Sequence, residues 1–388
     1  MSRPKFSILI PTRDRPVTLR HTLATVLAQS GNDYEIIVAD NCGSPAVPSV
    51  IEDAASDKIK YYRTDEILPM TRNWEIGLSR CTGDYVTILG DDDGLMPHTL
   101  DIARPLLAGT GAKVLTWEPH TYWWPDTIVY WNSNRLILNL ADGRTVWCTS
   151  QSMLKAFYDG AIGFNRLPMI YSSFVHRDCI QEIVAKYGSY FILPHIPDVV
   201  SGVINLCHSD QVLMCGRPLS IRGNSGKSNG TAQWARSLGV QQREAFFREE
   251  KATVDDIIHP SLIPSPNLSI LIASVQIQCK ERFFPDDRSL NVNLVGVIHG
   301  IIQNLNSDPD AYDDTLSEAL ALAAKHGIVI DRRQIPEKTV AVRKKLSGPV
   351  RDENGQITKW VVNCDQAGVE NIYGASRLAE ALSVYNPD

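Results

Sequence analysis

What this chain lacks narrows its function before any motif is read. No apolar run approaches the roughly 20 residues that cross a bilayer, so no membrane-spanning helix is expected. The opening Met1-Ser2-Arg3-Pro4-Lys5 runs straight into an apolar segment and does not resemble a secretory leader. An excess of positive charge is also missing. The formal net charge of -6 argues against non-specific nucleic-acid binding, which needs a basic footprint. The eight cysteines are scattered with no C-x-x-C pair, which suits reduced thiols in a cytoplasm better than a zinc site or a disulfide framework. The expected location is therefore the cytoplasm, with peripheral contact at the inner face of a membrane left open. Two phosphate-binding signatures are absent as well. The first strand is followed by Pro11-Thr12-Arg13-Asp14-Arg15-Pro16, not G-x-G-x-x-G, and no G-x-x-x-x-G-K-S/T occurs. A dehydrogenase and a P-loop NTPase are thereby disfavoured.

What is present centres on Thr82 to Gly94. Tyr85-Val86-Thr87-Ile88-Leu89 is apolar and β-branched, long enough for a buried strand and too short for a helix. Asp91, Asp92 and Asp93 follow at its carboxyl end. Adjacent carboxylates repel one another, and a divalent cation bridging them to a ligand phosphate would relieve that repulsion. In open α/β sheets, ligands bind outside the carboxyl ends of the strands. The bland alternative is a solvated acidic turn.

Around this stretch strand and helix alternate. Strands are expected at Phe6 to Ile10, Tyr34 to Ala39, Ile59 to Tyr62 and Lys113 to Glu118. Helices are expected from Val17 to Ser30, with Leu19, Leu23, Val26 and Leu27 at helical spacing, and from Met70 to Ser79. This predicts an α/β fold with a mostly parallel central sheet and helices on both faces. Thr12, Asp40 and the three aspartates would converge on one rim. Asp40 reads equally well as a ligand to a nucleoside and as an Asx-type turn before Gly43. Arg72, at the start of a helix, reads as a diphosphate partner or as a surface arginine.

The segment from Phe6 to about Leu107 resembles a family 2 glycosyltransferase of the GT-A fold. The matching pieces are Ser7-Ile8-Leu9-Ile10-Pro11-Thr12-Arg13-Asp14-Arg15, Glu35-Ile36-Ile37-Val38-Ala39-Asp40-Asn41, Thr71-Arg72-Asn73-Trp74-Glu75-Ile76-Gly77-Leu78, and Gly83-Asp84-Tyr85-Val86 with Leu89-Gly90-Asp91-Asp92-Asp93. Their order and spacing carry the likeness. The resemblance implies inverting transfer of a sugar from a nucleotide-diphosphate donor to an acceptor hydroxyl. It implies that Pro11, Thr12, Arg13 and Asp40 lie at the nucleoside, Arg72 at the diphosphate, and Asp91 and Asp92 at the donor. Asp92 and Asp93 would hold Mn²⁺ or Mg²⁺. Such sites often read Leu-Asp-x-Asp-Asp, and Gly90 stands where the first Asp would be. The implied partners are a UDP, dTDP or GDP sugar and a glycan or lipid-linked acceptor of bacterial surface polysaccharide, with no nucleic acid. A homo-oligomer is left open.

An aromatic segment follows, with Trp117, Tyr122, Trp123, Trp124, Tyr130, Trp131 and Trp147. Such side chains stack on sugars or simply fill a core. Leu167 to Val175 reads as a strand and Arg177 to Tyr187 as a helix. Asp198, after Pro197 and ahead of an apolar helix, is the expected catalytic base or an N-cap, with Glu182 and Asp210 as substitutes. His208 is a conceivable third metal ligand. The Gly/Ser/Asn loop from Arg222 to Gly230 resembles a donor-covering loop in which Arg222 or Lys227 could meet phosphate. From Gln233 the composition becomes helical, broken by three prolines between His259 and Pro266. The expected division is a catalytic domain over 1–232 and a mainly helical region over 233–388 that shapes the acceptor site or mediates oligomers. It ends with a basic stretch at Arg343-Lys344-Lys345 and a final helix near Val369 to Tyr385. A non-catalytic carbohydrate- or nucleotide-binding relative and a sugar nucleotidyltransferase are the rival readings. The missing glycine-rich loop after strand one speaks against the second.

Overall fold

The computed structural model describes residues 5–140, 142–193, 196–340, 347–352 and 354–383. The strands are β1 Phe6–Thr12, β2 Tyr34–Asp40, β3 Ile59–Arg63, β4 Tyr85–Ile88, β5 Gly94–Leu95, β6 Val114–Trp117, β7 His120–Trp123, β8 Arg135–Asn139, β9 Thr145–Thr149, β10 Ser173–His176, β11 Gln211–Cys215, β12 Ser220–Asn224, β13 Gly348–Arg351 and β14 Ile357–Asn363. The first helices are α1 Pro16–Leu27, α2 Ala46–Ala54, α3 Met70–Ser79 and α4 Thr99–Thr110.

Strand β2 is buried at every position and β1 at nearly every one, which is why both read as continuous apolar runs rather than alternating ones. They sit inside a sheet of order β3-β2-β1-β4-β10-β6-β11-β9. The β3-β2-β1-β4 portion is parallel, and β10 is inserted antiparallel between β4 and β6. Successive residues of a strand face opposite sides. Ile8 and Ile10 pack in the cluster that holds Leu19 and Leu23 of α1. Leu9 instead meets Gly77 of α3, where an added Cβ would fall 2.6 Å from Leu9 Cδ1. Helices therefore cover both faces, which is the expected α/β arrangement with a largely parallel central sheet.

The chain leaves the first sheet at the end of β4, makes the acidic turn, and enters a second sheet through β5. That sheet runs β13-β14-β8-β7-β12-β5. Its core gathers Met96, Tyr122, Trp124, Leu136, Ile221, Cys364, Ile372, Ala375 and Ala379. The last segment of the chain is thus built into this half of the protein. β14 pairs with β8. Arg135 donates to Asn363 Oδ1 at 2.6 Å, and Asn134 Nδ2 donates to Asp365 Oδ1 at 2.7 Å and to the Val369 carbonyl at 2.8 Å.

The expected division at 232/233 is therefore corrected. One compact unit comprises Met1–Ser150, Pro168–Ser228 and Lys345–Asp388; the other comprises Gln151–Leu167 and Asn229–Lys344. The expected boundary is close at its amino-terminal edge, but Gly348–Arg351, Ile357–Asn363 and the helix Ile372–Leu382 belong with the first unit because they complete its second sheet and core. The second unit is helical, with Val240–Glu250, Leu268–Phe283, Leu294–Gln303 and Tyr312–Lys325 as its longer helices. Within it Tyr158 donates to the Gln276 carbonyl at 2.7 Å, and Arg236 pairs with Glu318 at 2.7 Å. Arg343-Lys344-Lys345 lies outside the described residues. The final helix runs Ile372–Leu382.

The strand expected over Leu167 to Val175 is shorter. Ile170–Ser172 forms a 3-10 turn, and only Ser173–His176 pairs. Thr87 of β4 donates to the Ile170 carbonyl at 3.0 Å, and the Ile170 N–H donates to Ser201 Oγ at 3.1 Å. These anchors take the backbone groups that a longer strand would have paired.

Ile372 is fully buried against Tyr122 and Trp124. Ile372→Ala is expected to cost about 2–5 kcal/mol in urea denaturation of the full chain. A loss below about 0.5 kcal/mol, the range of surface substitutions, would show that the segment does not belong to this core.

Candidate active site

The acidic turn stands at the carboxyl edge of β4, and the surrounding elements each supply donors to it. Asp91 is buried; Thr12 Oγ1, from the end of β1, donates to its Oδ2 at 2.7 Å, and Arg15 Nη1 donates to its Oδ1 at 3.1 Å. Asp92 is buried too; Ser225 donates to its Oδ2 through the backbone N–H at 3.2 Å and through Oγ at 2.6 Å. Asp93 is half-buried, with Gly223 N–H donating to Oδ1 at 2.6 Å and Gly90 N–H to Oδ2 at 3.0 Å. The turn's backbone is held as well. Trp124 Nε1 donates to the Asp92 carbonyl at 2.9 Å, and Thr22 Oγ1 donates to the Asp93 carbonyl at 2.7 Å.

Charge here is only partly balanced. Burial, then Asp92, push the Asp93 carboxyl up to about 7, against the pull of the Gly223 N–H and Arg222. Burial also raises Asp91, although Arg15 opposes it. Burial works against the Arg15 guanidinium, but Asp91 and Asp92 outweigh it and hold its proton more tightly than usual.

The chain lacks the acid that the resemblance would place at position 90, and the geometry supplies a reason. A Cβ on Gly90 would lie 2.7 Å from Asp93 Oδ2 and 3.4 Å from Asp92 Oδ1. The bare backbone lets Asp93 fold back onto its own turn. Those two carboxylate oxygens converge beside Gly90, and Asp92 Oδ1 accepts no hydrogen bond among the described residues. Oxygen-only donors with excess negative charge fit Mg²⁺ or Mn²⁺. Among the described residues no three His, Cys, Asp or Glu side chains form a ready metal group. A cation at this place would take its further ligands from a bound diphosphate or from water.

Asp198 is brought to the same place. Helix Pro197–Cys207 begins with Pro197, Ile196 occupies the cap position at φ 52°, and Asp198 is in the first turn, so it is not the N-cap residue. Burial raises its carboxyl, while the Val199 N–H and Arg222 act the other way. Arg222 on β12 thus sits in the field of both Asp93 and Asp198, half-buried and with no side-chain hydrogen bond or ion pair among the described residues. Lys227 is engaged instead, donating to the Asp14 carbonyl at 3.0 Å, while its own carbonyl accepts from Arg15. The loop Gly223 to Lys227 therefore lies folded over the acids.

Other expected residues are placed differently. Asp40 is completely buried; Gly43 N–H donates to Oδ1 at 2.8 Å and Tyr61 OH to Oδ2 at 2.7 Å. It anchors the turn after β2, the Asx-type reading, with both oxygens engaged inside the protein. Pro11 and Arg13 flank Thr12 half-buried, and Arg13 lies 4.0 Å from Asp14. Arg72 is exposed in the first turn of α3 with no side-chain partner among the described residues. Glu182 and Asp210 are exposed, and Glu182 faces Lys113. His208 packs on Tyr187 with centroids 5.7 Å apart, which gives it a structural setting. Among the aromatics, Trp117, Tyr122, Trp123 and Trp124 are buried, whereas Tyr130 and Trp147 are exposed. Arg15, Trp124, Ser225 and Tyr171 were not assigned from the sequence. Arg15 lay inside a motif piece; for the others no local pattern marks the role.

The site and fold describe an α/β protein with a buried acidic centre at a strand end. Residues 7–145 match the family described as Glycosyl transferase family 2. Over 100 residues the chain is 34% identical to the GalNAc(5)-diNAcBac-PP-undecaprenol beta-1,3-glucosyltransferase of Campylobacter jejuni, covering 25% of this chain and 32% of that protein. Over 111 residues it is 31% identical to the O-antigen biosynthesis protein RfbC of Myxococcus xanthus, covering 27% of this chain and 9% of that one. The chain thus spans a third or less of these relatives. The crystal structure of S. aureus TarS 1-349 in complex with UDP-GlcNAc aligns with a TM-score of 0.48 at 12% identity, covering 84% of this chain and 93% of that one.

Gly223 is a position where only glycine fits. A Cβ there would fall 1.8 Å from the Asp92 carbonyl oxygen and 2.6 Å from its carbon. Gly223→Ala is expected to lose about 1–3 kcal/mol from overpacking, read as a lower melting temperature. A variant that melts with the wild type would contradict this close approach.

Proposed function

We propose that this chain is an inverting glycosyltransferase that moves a sugar from a nucleoside-diphosphate donor to a hydroxyl of a glycan or lipid-linked acceptor. The carrying observation is the gathering of Asp91, Asp92, Asp93 and Asp198 with Arg15 and Arg222 at one rim of the sheet. The likeness of residues 7–145 to family 2 supports the reaction class. The names of the C. jejuni and M. xanthus relatives support a bacterial surface glycan as the destination. A lipid-linked acceptor would place the protein in the cytoplasm at the inner face of a membrane. Among the described residues no helix is long and apolar enough to cross one.

In this reading Asp92 and Asp93 would hold Mn²⁺ or Mg²⁺, a charge that would offset the negative charge on the departing diphosphate. Arg72, exposed, and Arg222, half-buried, have no side-chain partner among the described residues and would be the guanidiniums that meet the diphosphate. Arg15 is already committed to Asp91, which keeps that side chain as the anchor of the turn. Asp198 accepts the proton of the acceptor hydroxyl as its oxygen bonds to the anomeric carbon. The bond from that carbon to the diphosphate oxygen breaks on the opposite face, which inverts the centre. A carboxyl raised by burial is better matched to this proton transfer at neutral pH than a free aspartate.

Nucleotide release from a panel of UDP-, dTDP- and GDP-sugars with Mn²⁺ tests the reading. Release is expected with at least one donor, and its absence with every donor would favour a non-catalytic binding relative. Asp93→Asn should abolish release with the melting profile intact; retained activity removes the metal role. Asp198→Asn should keep donor affinity and lower turnover by about 10²–10⁴-fold, and normal kinetics would move the base elsewhere.

A further inference from the structure

Tyr171 stands at the middle of the 3-10 turn Ile170–Ser172, and three contacts fix where it can be. Thr87 of β4 holds the turn at the Ile170 carbonyl. Ser201 accepts from the Ile170 N–H at 3.1 Å and donates its own proton to the Asp198 carbonyl at 2.5 Å. The turn is thereby clamped between the strand that ends in the acids and the first turn of the helix that carries Asp198. The ring of Tyr171 packs on Trp74 of α3, with centroids 5.2 Å apart, and Trp74 in turn packs on Phe191 at 5.4 Å. One face of the phenol is therefore fixed by the core. Its hydroxyl makes no hydrogen bond among the described residues and is not enclosed as a buried orphan.

Its surroundings are consistent with this position. Burial raises the phenol well above its ordinary range, and Asp93, Asp198, Asp91 and Asp92 add to the effect in that order. The group is thus a permanently protonated donor among carboxylates. A half-buried hydroxyl whose ring is held by packing and which has no acceptor among the described residues is available to a ligand that can accept from it. An oxygen of the substrate lying between the donor-side acids and the base would do so.

We infer that Tyr171 is a substrate-contacting residue whose hydroxyl donates a hydrogen bond to a hydroxyl oxygen of the transferred sugar, in the gap between Asp93 and Asp198. The inference rests on the glycosyltransferase reading and adds a contact to the sugar itself. The nucleoside side of the site, near Thr12, would be untouched by it. Tyr171→Phe deletes the donor and keeps the ring on Trp74. Tyr171→Ala deletes both.

The experiment compares wild type and Tyr171→Phe in nucleotide release from UDP-, dTDP- and GDP-sugars with Mn²⁺, and in calorimetric binding of each sugar nucleotide and of the free nucleoside diphosphate. Melting curves are recorded in parallel. For the active donor, Tyr171→Phe should lower kcat/KM by about 10- to 100-fold, weaken the sugar nucleotide, and leave the nucleoside diphosphate and the melting temperature unchanged. Wild-type release with unchanged Tyr171→Phe kinetics and affinity overturns the inference alone, and a stability loss seen only in Tyr171→Ala would then assign the ring to packing. Equal weakening of sugar nucleotide and nucleoside diphosphate also overturns it, moving the contact to the diphosphate. No release by the wild type from any donor overturns the glycosyltransferase reading itself.

Discussion

Mutual repulsion among Asp91, Asp92 and Asp93 is the constraint on which the rest of this structure depends. Two charges 4 Å apart interact by about 1 kcal/mol in water and by about 4 kcal/mol at the effective dielectric near a protein surface. Solvated, the three side chains could be an ordinary turn. Withdrawn from water as they are here, they persist only because Thr12, Arg15, Gly223, Ser225 and Gly90 each present a donor. Even so, Asp93 is left near 7. A centre short of positive charge at the edge of a parallel sheet is suited to receive a cation together with a phosphate.

That requirement reaches far along the chain. The donors come from the loop after β1, from the turn itself and from β12 with its loop, so both sheets must meet at the turn. β5 leaves the turn directly into the second sheet and pairs with β12, which brings Gly223 against the Asp92 backbone. Trp124, between β7 and β8, closes the back of the turn. The second sheet is then completed by β13 and β14, and the helix Ile372–Leu382 packs under Gly94. The end of the chain thus supports the element near its beginning on which the chemistry would depend.

The distribution of arginines follows the same logic. Arg15 is bound to Asp91 and also reaches toward Asp92, so it stabilises the turn and has little left for a ligand. Arg72 and Arg222 are unpaired among the described residues and differ in setting, one exposed and one among carboxylates. Gly90 belongs to this balance. An acid there would add a fourth carboxylate and collide with Asp93, whose fold-back onto the Gly90 N–H takes its place.

Much of the first half was legible because its signals are local. Helix Pro16–Leu27 follows from its apolar spacing, β1 and β2 from their continuous apolar runs, and the acidic turn from its unusual composition. Helix Arg177–Tyr187 was legible for the same reason. The aromatic segment was ambiguous, since a tryptophan in a core and one on a sugar face carry the same letters, and burial assigned Trp124 to the turn. Asp40 was ambiguous in the same way until Gly43 and Tyr61 were found on its two oxygens. By itself the sequence determined the alternating strands and helices, the position of the three aspartates at a strand end and the absence of a glycine-rich phosphate loop, because period, spacing and composition act between near neighbours. Only the tertiary structure decided that residues 348–382 complete the first unit, that Tyr171 and Arg222 stand with Asp198 at the acids, and that Gly223 must lack a side chain. Those outcomes depend on contacts between residues from 31 to 235 positions apart, and no local pattern encodes them.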